Sequence, residues 1–154
     1  MIILDNSVLS AFKRTNALNI IRELFKEVIV PTKVYEEFVR KWGQLNFPSW
    51  VKVETLSNNL IREARSISLG AGEAQAIVLA KHKRYLLALD DRRAREEAAE
   101  REVEIIGSTG ILRIAYEYCP IKTKRELRNL LLELRKDLHL EDWLTRWVLA
   151  AKKQ

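Results

Sequence analysis

Acidic side chains stand at four positions where a chain of this composition could do chemistry. Asp5 ends the apolar run Ile2-Ile3-Leu4, and Asp90, followed by Asp91, ends the run Leu86-Leu87-Ala88-Leu89. Glu36-Glu37 lie two turns into the helical spacing that follows Pro31, and Glu73 opens another helical segment after Gly70-Ala71-Gly72. Each has an ordinary structural explanation. Asp5 and Asp90 or Asp91 would cap the helices that follow them, Glu73 would complement a helix dipole, and one of Glu36 and Glu37 would be a solvated face residue. Their joint occurrence asks for more, because clustered carboxylates raise one another's pKa unless a cation neutralises them. Hard oxygen donors select Mg²⁺ or Mn²⁺ over zinc. Two such ions about 4 Å apart activate a water and stabilise a leaving oxygen in phosphodiester hydrolysis, chemistry that needs no His or Cys nucleophile.

Acids so far apart in sequence need a scaffold that brings them to one edge. Ile2–Leu4, Val28–Val30, Tyr85–Leu89 and Val103–Ile106 are short runs rich in branched residues, each followed by helical spacing, and they predict strands. A weaker strand is expected at Val51–Val53, after Phe47-Pro48-Ser49-Trp50. Pro31-Thr32 opens a helix whose face carries Val34 and Phe38, and residues 73–83 predict another. Strands without polar alternation, separated by helices, predict an α/β fold with a central parallel sheet covered on both faces. In such sheets the functional edge lies at the carboxyl ends of the strands, where the acids fall.

From residue 123 the pattern becomes a helical hairpin, with Leu127, Leu130, Leu131 and Leu134, then Leu140, Trp143, Leu144, Trp147 and Val148. One domain over residues 1–154 is expected, an α/β core at 1–121 with appended helices at 122–154. Trp143 and Trp147 share a helix face. That face is read as core in preference to a contact with a partner chain.

Lys+Arg 27 against Asp+Glu 21 gives a formal charge of +6. This admits polyanion partners and excludes an acidic solvating chain. Arg92, Arg93 and Arg95 follow the Asp90-Asp91 pair, and Lys122, Lys124, Arg125 and Arg128 cluster at the start of the hairpin. Either group could hold phosphates, or form a solvated face in which Arg95 pairs with acids between Glu96 and Glu102. Ser7 and Ser108 could cap helices or orient a carboxylate or water. The single cysteine, Cys119, excludes an internal disulfide, and two histidines without a second thiol leave no zinc framework. Gly70-Ala71-Gly72 is a poor dinucleotide loop, since a third glycine is absent and Glu73 would repel a pyrophosphate. The apolar start is too short for a signal peptide or a membrane span, so a cytoplasmic protein with no membrane association is expected.

Read in order, these segments resemble the PIN domain nucleases, in particular the VapC-like toxin branch of prokaryotes. Ile2-Ile3-Leu4-Asp5-Asn6-Ser7-Val8-Leu9 resembles the opening strand, first metal-binding aspartate and hydroxyl residue. Ile29-Val30-Pro31 with Val34-Tyr35-Glu36-Glu37 resembles the second acidic segment, with a spacing that selects Glu37. Gly72-Glu73-Ala74 resembles the third, where many relatives carry aspartate, and Leu87-Ala88-Leu89-Asp90-Asp91 with Arg95 and Ala98 the fourth. Gly107-Ser108-Thr109-Gly110 is similar to a loop of one subgroup. The resemblance covers roughly residues 1–118.

It implies a three-layer α/β/α fold and a Mg²⁺- or Mn²⁺-dependent ribonuclease site. Asp5 and Asp90 would be metal ligands, completed by Glu37 and Glu73 and supported by Ser7, Asp91 and Ser108. It also implies RNA as substrate, a small antitoxin protein as partner, and a homodimer. A catalytically silent RNA-binding or partner-binding module is the main rival. A phosphoryl-transfer protein is weaker, because Asp5-Asn6-Ser7 lacks the second aspartate that the phosphatase pattern needs at its third position.

Overall fold

The computed structural model describes residues 1–154. Five parallel strands form one sheet: β1 (Ile2–Leu4), β2 (Val28–Pro31), β3 (Lys52–Glu54), β4 (Leu86–Ala88) and β5 (Ile105–Ile106). Their order is β3-β2-β1-β4-β5. The chain lays β2 and β3 outward on one side of β1, then crosses over to lay β4 and β5 on the other side. The strand order therefore reverses between β1 and β4, and the crevice at such a reversal is where open parallel sheets bind ligands.

Period-two alternation explains why the strands read as unbroken apolar runs. Ile2, Leu4, Val28, Val30 and Ala88 face one core, shared with α1 (Asn6–Arg14), α2 (Leu18–Leu24), α3 (Thr32–Trp42) and α7 (Ser108–Glu117). Ile3, Ile29 and Leu87 face a second core, shared with α4 (Asn58–Arg65), α5 (Ala71–Lys83) and α6 (Arg92–Glu100). The three-layer α/β/α architecture is thus present, with β1 central and wholly buried. No helix is long and apolar enough to cross a membrane.

Several boundaries differ from the sequence expectation for local reasons. The segment Val103–Ile106 keeps only Ile105–Ile106 as strand, because Glu102 turns left-handed at φ 57° and the Val103 amide donates to Ala98 to close α6. Tyr85 is likewise consumed: Arg84 adopts φ 57° and the Tyr85 amide donates to Ala80, ending α5. Helix α4, which the periodicity did not single out, is capped by Ser57, whose hydroxyl accepts from the Leu60 amide.

The hairpin is present as α8 (Lys124–Leu134) and α9 (Asp142–Leu149), and it continues the first core. Leu127, Leu131, Leu134 and Val148 are buried in it. The core reading of the two tryptophans is corrected here, since Trp143 is 55% and Trp147 42% exposed. Leu144 and Val148 take the inward face of α9, which turns the tryptophan stripe outward. The Trp147 ring lies under the Arg113 guanidinium at 4.3 Å, and the Trp143 indole donates to Glu141.

If the hairpin belongs to the core, Leu131→Ala will lower stability by about 2–5 kcal/mol, as for other buried leucines. Leu132→Ala, at a side chain 52% exposed, will stay within about 0.5 kcal/mol of the parent. Urea unfolding monitored by circular dichroism will show both changes in a single transition.

Candidate active site

Asp5 is the first residue beyond β1 and is 1% exposed. Its Oδ1 accepts the Val8 amide at 2.8 Å and so caps α1. Its Oδ2 is buried with no hydrogen-bond partner. Capping and site roles therefore coexist, one on each oxygen. Burial holds the Asp5 carboxyl well above the usual carboxylate range. The Val8 bond opposes this, and the charges of Asp90, Glu73 and Glu37 push it further up.

Asp90 stands across the strand reversal, where the Asp5 amide donates to Ala88 at 3.2 Å. Ser108 holds both of its oxygens, the amide donating to Oδ1 at 2.8 Å and the hydroxyl to Oδ2 at 2.6 Å. Burial raises the Asp90 pKa, while these two bonds and the Arg95 charge restrain it. The cap of α6 falls to the neighbour, Asp91, which accepts the Ala94 amide at 2.9 Å. Adjacent aspartates thus divide the work, Asp90 facing the crevice and Asp91 starting the helix.

Glu73 sits in the first turn of α5, its pKa raised by burial and then by Asp91 and Glu37. Glu37 comes from α3 and lies directly over Gly72, where an added Cβ would be 2.6 Å from Oε2. The absence of a side chain at Gly72 lets the Glu37 carboxylate rest against α5. Glu36 is exposed and pairs with Lys33 at 3.3 Å, as a solvated face residue should. The buried hydroxyl of α1 is Ser10: it accepts from the Trp42 indole at 3.1 Å and ties α3 to α1. Ser7 is exposed and makes no side-chain hydrogen bond to the acids. A serine inside Val8-Leu9-Ser10-Ala11-Phe12 was the available signal for Ser10.

Arg95 departs from the solvated-face reading given to it. It pairs with none of the acids between Glu96 and Glu102; Arg92 takes Glu96 and Arg101 takes Glu97. Its guanidinium turns into the crevice, where Nη1 donates to the Leu89 carbonyl at 3.3 Å. Gly107 makes room for it, since a Cβ there would be 2.8 Å from Nη1 and 3.0 Å from Asp90 Oδ1. Among the other basic candidates, Lys124 is engaged internally, its ammonium donating to the Leu149 carbonyl and lying 4.9 Å from the Tyr116 ring. That engagement makes it a clasp between α8 and α9. Arg93, Lys122 and Arg125 are exposed and form no ion pair.

The donor set is all oxygen, and the orphaned Asp5 Oδ2 is an acceptor that a hard divalent ion would satisfy. As placed, the acids are neighbours and not a closed cage, and no three of them lie close enough together to hold an ion. Like charges without a counter-ion stay apart, and Glu37 and Glu73 are long, partly exposed side chains able to swing inward. The residues therefore fit a divalent ion on condition that they close upon it.

The fold is a parallel α/β/α sheet with acids gathered at the reversal of strand order. The family model DUF3368, described as a PIN domain, matches residues 1–152. The chain belongs to the PIN domain family, whose members are generally nucleases. No curated protein matches it.

The pH dependence of stability follows from Asp5. Because folding raises its pKa, its favourable contribution is complete below the unfolded carboxyl value of about 3.9 and is lost as pH rises through the folded value. Asp5→Asn keeps an oxygen for the Val8 amide and removes the buried charge. In EDTA the variant will melt with the parent near pH 4 and above it at neutral pH, as checked by thermal unfolding across that range.

Proposed function

We propose that this protein is a divalent-metal-dependent endoribonuclease that hydrolyses RNA phosphodiester bonds by a metal-activated water. The observation that carries this reading is the buried, unpartnered Oδ2 of Asp5 facing the charges of Asp90, Glu73 and Glu37. Asp5 and Asp90 would hold the ion, Mg²⁺ or Mn²⁺, with Glu37 and Glu73 closing around it. When bound, such an ion supplies a water of lowered pKa and positive charge for the developing oxyanion.

The remaining work falls to the chain itself. Ser108 fixes the rotamer of Asp90 with two hydrogen bonds, keeping its oxygens oriented before substrate arrives. Arg95 spends only one of its five N–H donors, on Leu89, and the others are available to a phosphate oxygen. Exposed Arg93, Lys122 and Arg125 would contact the strand further out, through salt-sensitive phosphate interactions. In lineage we place the chain with the VapC-like toxins, on the order of its acidic segments. A small antitoxin protein, a homodimer and a cytoplasmic site of action go with that placement.

The open spacing of the acids favours one rival, a silent RNA-binding or partner-binding module with a PIN fold. Cleavage assays separate the two. With Mn²⁺ and single-stranded RNA, the parent will cleave, Asp5→Asn will lose about a hundredfold or more, as expected where an ion supplies several kcal/mol. Ser108→Ala will lose about 10- to 100-fold, as supporting residues of metal ligands do. Retained cleavage by Asp5→Asn would falsify the assignment, and salt-sensitive RNA binding without cleavage in any divalent ion would establish the silent module.

A further inference from the structure

A cleft of about 370 Å³ opens beside the carboxylates, between the start of α3, α4 and the start of α5. It falls within the roughly 300–1,000 Å³ of small-ligand sites. Its floor is aliphatic, from Ile61, Ile67 and Leu69, and its polar groups are Lys33, Arg65 and the Gln75 amide. Arg65 and Gln75 make no side-chain hydrogen bond or ion pair, and Lys33 has only an exposed pair with Glu36. Such surface pairs are exchanged at little cost.

The position of the cleft is as informative as its lining. Lys33 precedes Glu37 by four residues on α3, so the two lie on one face about one turn, or 5.4 Å, apart. On α5, Ala71 lines the cleft and is followed directly by Gly72, over which the Glu37 carboxylate lies. The cleft thus adjoins Glu37, the member of the carboxylate site that α3 supplies.

We infer that this cleft is a nucleotide subsite, taking one nucleotide of the strand next to the bond that is cut. The lining matches that chemistry group by group. A nucleobase has flat apolar faces for the aliphatic floor and a hydrogen-bonding edge for the Gln75 amide, while its phosphate is an anion for Lys33 and Arg65. A purely apolar ligand would leave two cations and an amide without partners, and a bare phosphate would leave the floor in water. The role of the cleft in cleavage rests on the nuclease reading, whereas its binding of a nucleotide does not.

The test uses the full-length protein in EDTA, titrated with the four nucleoside 5′-monophosphates, ribose 5-phosphate and inorganic phosphate, and followed by ¹H–¹⁵N NMR. Saturable shifts are expected at residues 61–75, with at least one nucleotide binding more tightly than ribose 5-phosphate. Arg65→Glu will weaken that binding by about tenfold, the scale of one charge-assisted contact. Gln75→Ala will reduce the preference among bases, and in cleavage assays will raise KM with kcat kept. Absence of saturable shifts, equal binding of ribose 5-phosphate and all four nucleotides, or an unaffected Arg65→Glu would overturn the subsite. Nucleotide binding without cleavage would sink the nuclease reading alone, and cleavage without nucleotide binding would sink the subsite alone.

Discussion

The structure is organised around a carboxylate that is taken out of water without a partner for one of its oxygens. Asp5 sits at the end of the central strand, flanked by β2 and β4, and three other acids bear on it. An isolated charge in that position is expensive, and proteins ordinarily pair it or neutralise it. Here the local compensation stops at a single amide, that of Val8. Without a counter-ion, the remainder is met by the raised pKa of the carboxyl, which favours its neutral form. The centre of the sheet is built of buried Ile, Leu and Val, and α7 and α8 add to the first core.

Close approach is the second requirement, and two glycines provide it. Gly72 lets a carboxylate from α3 lie on the backbone of α5, and Gly107 leaves space between β5 and α7 for the Arg95 guanidinium beside Asp90. A methyl group at either place would displace a charged side-chain end from its position in the crevice. Ser10 and Ser108 act in the same sense. Ser10 ties α3 to α1 through Trp42, and Ser108 holds Asp90 from the loop that opens α7. The site is positioned by hydrogen bonds between helices whose registers the sheet has already set.

That division explains what could be read from the sequence. Asp5 and Asp90 announce themselves because each ends an apolar run, and the ends of such runs share one edge of a parallel sheet. Glu73 and the pair Glu36-Glu37 follow from helical spacing after a glycine and a proline, and the resemblance to PIN domains selects Glu37. Arg95 was legible only as a charge, because its inward turn depends on Gly107, which lies 12 residues later on another element. Lys124 reads as a phosphate contact in sequence, whereas in the fold its ammonium meets the carbonyl of Leu149 and the ring of Tyr116. The tryptophans misled for a different reason. Aromatic spacing identifies a stripe without saying which of two stripes on α9 faces inward, and Leu144 with Val148 holds that side. Strand ends were lost to left-handed residues at Arg84 and Glu102, positions with no glycine to mark them.

The charge distribution gives the site its direction. The chain is basic overall, yet its crevice gathers acids around a single guanidinium. A polyanion would be drawn toward the outer surface by Arg93, Lys122 and Arg125 and repelled at the crevice while Asp5, Glu37, Glu73 and Asp90 carry uncompensated charge. A divalent ion would reverse that local sign. Any strand reaching the crevice and any ion held there would then strengthen each other's binding by the same factor, since linkage is reciprocal. Arg95 makes the coupling incomplete by design, because a permanent cation beside Asp90 keeps part of the attraction when no ion is present.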